Sequence, residues 1–571
     1  MDRSTMHDRA ERYLPQGPVS VTFDPAGLST GELANISRSG LACTFPRYVP
    51  HLTPGMPVSA VQVTHDGGCI SLGRGRIARL ARGASGAPGS MTVGIAFETD
   101  RADDLACLFP LLAPYRYVTN ELVADVPEFL LHRLPENDGE PESPTLDQFY
   151  RKDGCDVLAK CGGLHGWSED LRARQIYQRL YRVTVTGALD NCITIFDPVR
   201  RSERVMRCFD SNSYLGLHRH PRVNAEVERV LRRVGYGTPS AQVLCGTNRY
   251  LRELEDKLSQ IHGREETMVF PTGYATNTGT IGALIRDRDA VICDRHAHAS
   301  IQDGCAASSA LVYSRFRHND VEDLDAALAR ADEAGAQGKL VITDGVFSMH
   351  GDIAPLPELI ATCRRHGARI MVDDAHGLGV IGATGYGVEE HFNLQGQVDV
   401  LMGTLSKSVG SMGGYVSGDR ELITYLRWFA ASGLFTTSLP AALCAGMREA
   451  LCVMEDEPEH RAAMLDNARY FSNALRQLGF DTNDVETPIV TIHVGPQRLL
   501  WRMSTDLFDA GVKCGSVIYP AVPKNHTILR FVVNARHTRF DLDFALDALE
   551  RVGRSLGMLD TQPEQLQAQW H

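Results

Sequence analysis

Strand-like and helical stretches alternate along this 571-residue chain from about Gln175 onward. The strand-like runs VICD, LVITDGVF, RIMVDDAH and VDVLMGTLSK are separated by helical patterns such as NRYLRELEDKLSQIHG and DVEDLDAALARADEAGA. Alternation of this kind predicts an α/β fold with a mostly parallel sheet that helices cover on both faces. In such sheets ligands bind at the carboxyl ends of the strands, so the residues directly after each strand-like run are the candidates for a functional site.

Length, charge and cysteine content narrow the classes of protein. A chain of 571 residues is too long for one ordinary core, so we expect two or more domains. The formal net charge of -12 argues against a nucleic-acid partner. No apolar run approaches the roughly 20 residues that span a bilayer, and the charged N-terminus is unlike a signal peptide. The 14 cysteines are scattered without a CxxC pair, which indicates reduced thiols and a cytoplasmic protein.

The clearest domain boundary is the acidic stretch from Pro135 to Gln148, where Pro, Gly and Ser interrupt any hydrophobic period. We predict a linker over residues 135–150. Before it, VSVTF, LACTF, VSAVQV, SLGRGRIARL and TVGIAF predict a small antiparallel β-barrel over 1–134, with a helical extension from about Asp103 to Leu131. After it, we predict an N-terminal arm over 151–210, a large domain over 211–445 and a small C-terminal domain over 446–560.

Three charged residues follow strand-like runs in a pattern that suits an aldehyde cofactor. Lys407 lies among small residues in GTLSKSVG, where partial desolvation lowers the pKa of an amine and frees it to form an imine. Asp373 and His376 close the run RIMVDDAH. A buried carboxylate needs a cationic partner, and the protonated pyridine nitrogen of pyridoxal phosphate (PLP) is such a partner. Taken singly, these residues are better explained by a surface lysine and by a strand-end turn.

Further candidates lie at two other strand ends. Gly273 in FPTGYATN stands between a strand and a helix, where backbone N–H groups can hold a phosphate, and Thr404 could add a contact. His296 and His298 follow another strand; an imidazole can stack on a cofactor ring, although a metal pair or a solvated loop also explains two histidines. No metal site is predicted, because no third ligand recurs beside them. The joint occurrence of all these residues predicts a PLP site.

The region from about Gln175 to Leu559 resembles the α-oxoamine synthase family of PLP enzymes. The resemblance is carried by SNSYLGL, PTGYATN, DRHAHASIQDG, FRHNDVEDL, TDGVFSMHGDIAPL, MVDDAHGLGVIG, GTLSKSVGSMGGY, LFTTSLP and PAVPKNHTILRFVVNARHT. Within the family, HASIQDGC, FRHN and the loop before ILR are most similar to bacterial serine palmitoyltransferase. Glycine C-acetyltransferase and 8-amino-7-oxononanoate synthase share much of this pattern. The resemblance implies a PLP-dependent transferase of fold type I with a smaller C-terminal α+β domain.

The resemblance also implies a role for each matching residue. Lys407 would bind the cofactor covalently and move the substrate's Cα proton. Asp373 would hold the pyridine nitrogen, His376 and Ser348 the phenolic oxygen, and His298 would stack on the ring. The remaining implied residues are the phosphate ligands Gly273, Tyr274 and Thr404, the phosphate ligands of a neighbouring subunit Thr436 and Thr437, and the substrate-carboxylate ligands Asn212 and Arg530. The subunit-bridging pair implies an obligate homodimer.

The implied reaction is the decarboxylative condensation of an amino acid, serine favoured, with an acyl-CoA thioester to give an α-amino ketone. An enzyme that uses glycine or alanine with a short acyl donor or a carrier-protein thioester is the first alternative. A catalytically inert signalling protein is the second. The stretch GYGTPSAQVLCG departs from the family's Gly/Ser-rich run at Pro239 and Ala241, which leaves the acyl preference open.

The front region resembles the PilZ domain, a small barrel that in many members binds cyclic di-GMP. The resemblance rests on Asn35, Ser37 and Gly40 in ANISRSGLACTF and on the later TVGIAF. A second PilZ motif, two arginines four residues apart, is not met, because Arg9 and Arg12 are three apart. We therefore slightly favour a barrel that has lost the ligand and packs against the enzyme or a partner.

Overall fold

The computed structural model describes residues 158–484, 486–519 and 521–559, Phe149, and the backbone of the strands between Leu14 and Ala113. Two compact units result, one of residues 1–140 with 164–206 and one of residues 141–163 with 207–571. The predicted helical extension lies outside the described residues, as does the predicted linker except for Phe149. The five predicted segments therefore stay predictions.

The first unit contains a closed barrel of six antiparallel strands in the order β2-β3-β4-β7-β6-β5. The sequence predicts such a barrel at this place. The strands of the front region are β1 Leu14–Pro15, β2 Ser20–Phe23, β3 Gly31–Ser37, β4 Gly40–Phe45, β5 Pro57–His65, β6 Gly68–Arg82, β7 Met91–Phe97 and β8 Leu112–Ala113. They are followed by α1 Ala159–Ala173, α2 Ile176–Leu180, β9 Cys192–Asp197 and β10 Ser202–Cys208.

The second unit is built on a seven-stranded sheet in the order β11-β17-β16-β15-β14-β12-β13. Its strands are β11 Glu266–Phe270, β12 Asp289–Asp294, β13 Val312–Phe316, β14 Gly338–Asp344, β15 Arg369–Asp373, β16 Val400–Thr404 and β17 Gly414–Gly418. All neighbours are parallel except β17, which runs antiparallel to β11 and β16. The prediction of a mostly parallel sheet is confirmed.

Helices flank this sheet, and the residues of one strand alternate between two cores. Ile370 and Val372 of β15 belong to one buried cluster, and Met371 between them belongs to another. Successive side chains of a strand point to opposite faces, so both faces of the sheet are buried. The helices are α3 Pro221–Val234, α4 Arg249–His262, α5 Gly273–Leu284, α6 Ala299–Ala307, α7 Val321–Glu333, α8 Leu356–Arg365, α9 Val388–His391, α10 Arg420–Phe429, α11 Ala431–Leu434 and α12 Ala441–Asp456.

A smaller α+β region follows, with its own core of buried apolar side chains. Its three-stranded antiparallel sheet has the order β18-β21-β20. The elements are α13 Glu459–Leu478, β18 Ile489–Gly495, α14 Gln497–Asp509, β19 Val512–Lys513, β20 Gly515–Val517, β21 Thr527–Val532 and α15 Arg539–Ser555. In the described part of the chain, no helix combines the length and the apolar character that crossing a bilayer requires.

Candidate active site

Two buried carboxylates end neighbouring parallel strands. Asp344 closes β14, Asp373 closes β15, and the two residues are paired in the register of the sheet. The Asp373 carboxylate accepts hydrogen bonds from the Asn277 side-chain amide at 2.7 Å and from the Ala375 backbone N–H at 3.0 Å. Burial, and then the charge of Asp373, raise the pKa of Asp344 well above its usual range. The closeness of the two carboxylates thus disfavours the charged form of Asp344.

Asp373 forms no ion pair with a Lys, Arg or His side chain among the residues that the structure describes, although it is buried. A buried charge of this kind is costly unless a bound cation compensates for it. The protonated ring nitrogen of PLP supplies such a cation. The donor set around Asp373 therefore fits the role that the sequence predicts for it.

One amide connects Asp373 to His298. The Asn277 side-chain nitrogen, which donates to Asp373, also donates to the Ser300 hydroxyl oxygen at 2.9 Å. Ser300 Oγ lies 2.7 Å from His298 Nδ1, and the Ser300 backbone N–H points at the same nitrogen. Nδ1 is thus an acceptor, which places the proton of a neutral His298 on Nε2. Burial is the main reason that the pKa of His298 is lowered.

Lys407 stands three residues beyond Thr404, the last residue of β16, and is half-buried. Desolvation lowers the pKa of its amine to about 8, although the charges of Asp373 and Asp344 act in the opposite direction. A substantial fraction of the amine is therefore neutral at slightly alkaline pH, and the neutral amine is the form that attacks an aldehyde. The charges of Asp373 and Lys407 act on the pKa of His298, and the charge of Asp373 acts on that of Lys407, so these three predicted residues lie near one another.

His376 lies in the turn after β15 with its Nδ1 2.5 Å from the Tyr214 hydroxyl oxygen. Burial, and then the positive charges of Lys407 and Arg530, lower the pKa of His376 well below its usual value, so its ring is neutral. Burial raises the pKa of Tyr214 to about 12, so the phenol keeps its proton and donates it to Nδ1. The His376 Nε2–H is then available as a donor.

The N-terminus of α5 and the end of β16 approach each other closely. A Cβ atom at Gly273 would lie 3.1 Å from Thr404 Oγ1 and 3.4 Å from the Met402 methyl carbon, so a larger residue there would crowd Thr404. The first turn of a helix exposes backbone N–H groups that bind phosphate. Thr404 Oγ1 lies 2.9 Å from the Ser406 hydroxyl. The predicted phosphate ligands Gly273, Tyr274 and Thr404 are thus adjacent, and the Tyr274 hydroxyl contacts Asp303.

Arg530 joins the C-terminal sheet to two loops of the large sheet region. From β21, its Nε donates to the Ser348 carbonyl oxygen at 2.6 Å, and its Nη2 donates to Asn212 Oδ1 at 3.2 Å. The structure therefore brings together three residues that the sequence singled out from segments more than a hundred residues apart. A guanidinium held in this way is suited to a carboxylate.

Other predicted residues take different positions. Thr437 forms an antiparallel bridge with Ala241, one of the two residues that depart from the family pattern. Thr436 directly precedes Thr437. The His296 ring stacks on His318 with centroids 4.3 Å apart, whereas His298 turns to Ser300. No cluster of possible metal ligands in the described ranges contains His296 and His298 together. Arg9, Arg12 and the side chains of Asn35 and Ser37 lie outside what the structure describes.

Sequence reasoning missed Asn277, Ser300, Tyr214 and Asp344. Asp344 ends the run LVITDGVF, so its strand-end position was a usable signal. Asn277, Ser300 and Tyr214 stand in the quoted motifs PTGYATN, DRHAHASIQDG and SNSYLGL, but no local pattern indicates that their side chains meet Asp373, His298 and His376. These contacts arise only from tertiary packing.

A family model described as aminotransferase class I and II matches residues 206–549. The chain belongs to this family. An 8-amino-7-oxononanoate synthase of Thermoanaerobacter pseudethanolicus is 41% identical over 391 residues, which cover 68% of this chain and 96% of the relative. The 4-hydroxy-2,2'-bipyrrole-5-methanol synthase PigH of a Serratia species is 37% identical over 421 residues, 74% of this chain and 63% of PigH.

The structural comparison agrees with the family. A serine palmitoyltransferase from S. paucimobilis, solved with PLP and myriocin, superposes with a TM-score of 0.67 at 32% identity over 71% of this chain and 100% of that chain. This chain is therefore an α-oxoamine synthase of fold type I, and its cofactor is pyridoxal 5'-phosphate. The match of the family model begins at residue 206, so it does not include the barrel, whose resemblance to PilZ stays a prediction.

Proposed function

We propose that this enzyme condenses an amino acid, serine in the first place, with an acyl-CoA or acyl-carrier thioester to give an α-amino ketone. The new bond joins the amino acid's α-carbon to the acyl carbon, the thiol leaves, and the amino acid's carboxylate departs as CO2. The observation that carries this proposal is the placement of Arg530. Its guanidinium, held by the Ser348 carbonyl and by Asn212, acts electrostatically on His376 and Lys407, so a substrate carboxylate bound there would lie beside the reacting amine.

In this proposal each residue around the cofactor ring has a separate role. When bound, PLP withdraws electrons from the α-carbon of the amino acid. Asp373 keeps a positive charge on the cofactor ring, His376 Nε2–H and Ser348 bind its phenolic oxygen, and His298 covers its face. Lys407 holds the cofactor and moves the proton at the α-carbon, which its pKa of about 8 allows near neutral pH.

The phosphate end of the cofactor would contact the backbone at Gly273, the residue Tyr274 and the Thr404 hydroxyl. In this proposal Thr436 and Thr437 reach the phosphate bound by a second subunit, which makes the enzyme a homodimer. The exposed position of Thr437 and of the neighbouring Phe435, which is 83% exposed, supports a partner surface there. Size measurement in solution tests the dimer, and a monomeric holoenzyme with full activity would contradict it.

Serine is favoured because solved serine palmitoyltransferases superpose on 71% of the chain. The alternative amino acids, alanine and glycine, are supported by sequence identity, which reaches 41% with an 8-amino-7-oxononanoate synthase. The purified holoenzyme should change its visible spectrum on addition of the true amino acid substrate. Parallel titration with serine, alanine and glycine ranks the three, and a spectrum that responds to alanine but not to serine would replace the first choice.

The role of Lys407 is tested separately from the choice of substrate. Lys407→Ala should lose turnover and should no longer retain the cofactor covalently after borohydride treatment and denaturation. Lys339→Ala is the matched control, because Lys339 pairs with Asp332 and has no part in the proposed site. Equal losses in both variants would contradict the assignment, and so would a folded Lys407→Ala that keeps turnover.

A separate proposal concerns the ligand of the N-terminal barrel. Its resemblance to PilZ suggests cyclic di-GMP as the ligand to test first, although the unmet arginine motif makes loss of that ligand the favoured outcome. Titration of the full-length chain with cyclic di-GMP in a calorimeter decides between the two. Heat release with one site per chain would support a sensor, and a flat trace would support a barrel that serves only in packing.

A further inference from the structure

Two histidines and one glutamate outside the active site converge on a single carboxylate oxygen. His220 Nε2 and His460 Nε2 each lie 3.1 Å from Glu457 Oε2. One possible ligand atom from each residue falls within 4.8 Å of the others, and no other such group of three or more was found in the described residues. The two rings stand edge to face, with centroids 5.8 Å apart and an interplanar angle of 86°.

These residues belong to three element ends, of which the first is 237 residues from the second and the last two are adjacent in the sequence. His220 is the N-cap residue of α3, Glu457 is the C-cap residue of α12, and His460 lies in the first turn of α13. Pro458 separates α12 from α13, so the chain turns between the last two residues. The backbone positions of the three side chains are therefore determined by helix packing and by this turn.

The spacing of the three atoms suits a small divalent cation. Zinc binds imidazole nitrogen and carboxylate oxygen at about 2.0–2.2 Å in a tetrahedral arrangement, so its ligand atoms lie about 3.3 Å apart. Both nitrogen-to-oxygen separations at this cluster are 3.1 Å. The two histidine nitrogens lie within 4.8 Å of each other, and solvent could provide the fourth ligand of a cation between the three atoms.

His220 contacts Glu457 through one ring nitrogen, Nε2. Its Nδ1 is buried and has no hydrogen-bond partner among the described residues. A neutral imidazole is the form that coordinates a metal.

Arg222 contacts the Glu457 carboxylate at the oxygen that the two histidines do not contact. Its Nη1 lies 3.3 Å from Glu457 Oε1, the oxygen that faces away from the histidines. Arg222 also pairs with Glu449 and Asp456, so its positive charge is shared with two further carboxylates. Outer contacts of this kind fix the orientation of metal ligands.

We propose that His220, Glu457 and His460 form a structural site for a divalent first-row cation, with Zn²⁺ the ion that the donor set fits best. The ion connects the start of α3 to the α12–α13 turn. The segment before α3 carries Asn212 and Tyr214, so the site stiffens a part of the chain that contributes to the active site. The proposal does not depend on which amino acid the enzyme uses.

The experiment uses full-length holoenzyme that has been dialysed against a chelator and then titrated with Co²⁺ and with Zn²⁺. We expect one Co²⁺ site per chain with the visible absorption of a tetrahedral ion, displaced by Zn²⁺, and a higher melting temperature with either ion. His460→Gln should lose this site and the melting shift. Arg222→Gln should keep the site but bind about 10–100-fold more weakly.

His366→Gln is the matched control, since His366 also pairs with two carboxylates, Asp325 and Asp332, but has no second histidine beside it. This variant should bind Co²⁺ as the parent does. Equal Co²⁺ binding by the parent and His460→Gln would overturn the proposal, and so would a parent that binds no Co²⁺ or Zn²⁺. Any metal site elsewhere in the chain would persist in all variants and would not enter the difference.

Discussion

Two aspartates at the same edge of the large sheet are compensated in opposite ways. Asp294 ends β12 and Asp373 ends β15, and both are buried. Asp294 accepts hydrogen bonds from His318 Nδ1 at 3.1 Å and from the His296 backbone N–H at 2.7 Å. Asp373 is bound by the Asn277 amide and a backbone N–H instead, and no cationic side chain of the described residues pairs with it.

The difference separates a structural charge from a functional one. His318 also lies 2.8 Å from Asp352, and although burial lowers its pKa, hydrogen bonds to Asp294 and Asp352 raise the pKa to about 9. The charge of Asp294 is thus compensated within the chain. Asp373 accepts hydrogen bonds from neutral donors only, and the protonated ring nitrogen of bound PLP is the cation that we propose for it. A strand-end carboxylate is therefore informative about function when the protein supplies no cation for it.

Asp373→Asn gives the largest expected effect. Asparagine keeps the shape of the side chain but cannot hold a positive charge on the cofactor ring, so turnover should fall by about 100–1000-fold. The free energy of unfolding should change little or rise, because a buried charge is removed. Steady-state kinetics and urea unfolding of the holoenzyme measure both quantities. If Asp373→Asn kept its turnover within a factor of about three of the parent, the lack of a cationic side chain beside Asp373 would not indicate a functional carboxylate.

The sheet and the main residues of the site were predictable for physical reasons. Apolar runs such as RIMVD must be buried on both faces, and their ends must meet at one edge of a parallel sheet, which places Asp373 and Lys407 near each other. The family motifs then extended the prediction to Arg530 on β21, which the structure joins to Ser348 and Asn212.

Contacts between side chains of unrelated segments could not be predicted in this way. The sequence treats Asp294 and Asp373 alike, as carboxylates after a strand, and only packing brings His318 to one and Asn277 to the other. The cluster at Glu457 has the same origin, because His220 is 237 residues away in the chain. For this reason the sequence predicted no metal site.

Asp294→Asn should affect stability more than turnover. It removes one of two carboxylates from the half-buried His318, and the cost should stay below the roughly 3 kcal/mol of a fully buried broken pair because Asp352 remains. Urea unfolding measures the loss, and kinetics at a temperature below the transition should show nearly parental turnover. Asp325→Asn, at an exposed carboxylate that pairs with Arg365 and His366, is the control and should cost less stability than Asp294→Asn.

The charge of His318 predicts a pH dependence of stability. Its pKa is about 9 in the folded chain against an ordinary value of 6.5. The folded state therefore holds this proton more tightly, so the contribution is complete below pH 6.5 and is lost as the pH rises through about 9. Unfolding of the holoenzyme at several pH values in this window should show a steeper decline for the parent than for His318→Gln. If the stability of the parent and of His318→Gln declined in parallel with pH, then Asp294 and Asp352 would not raise the pKa of His318.

Asn277→Ala tests the other side of the comparison and has the smallest expected effect. The amide donates to Asp373 and Ser300, whereas its own Oδ1 is buried without a partner among the described residues, so its removal also removes an unsatisfied acceptor. We expect a net stability loss of about 1 kcal/mol and a fall in turnover of about 10-fold, because Asp373 and His298 lose their common support. Thr278→Ala is the control, since the Thr278 hydroxyl bonds only to carbonyl oxygens of its own helix in the contacts described. If Asn277→Ala lowers stability but leaves turnover and the absorption of the bound cofactor unchanged, then the amide supports packing alone and the orientation of Asp373 is determined by the backbone.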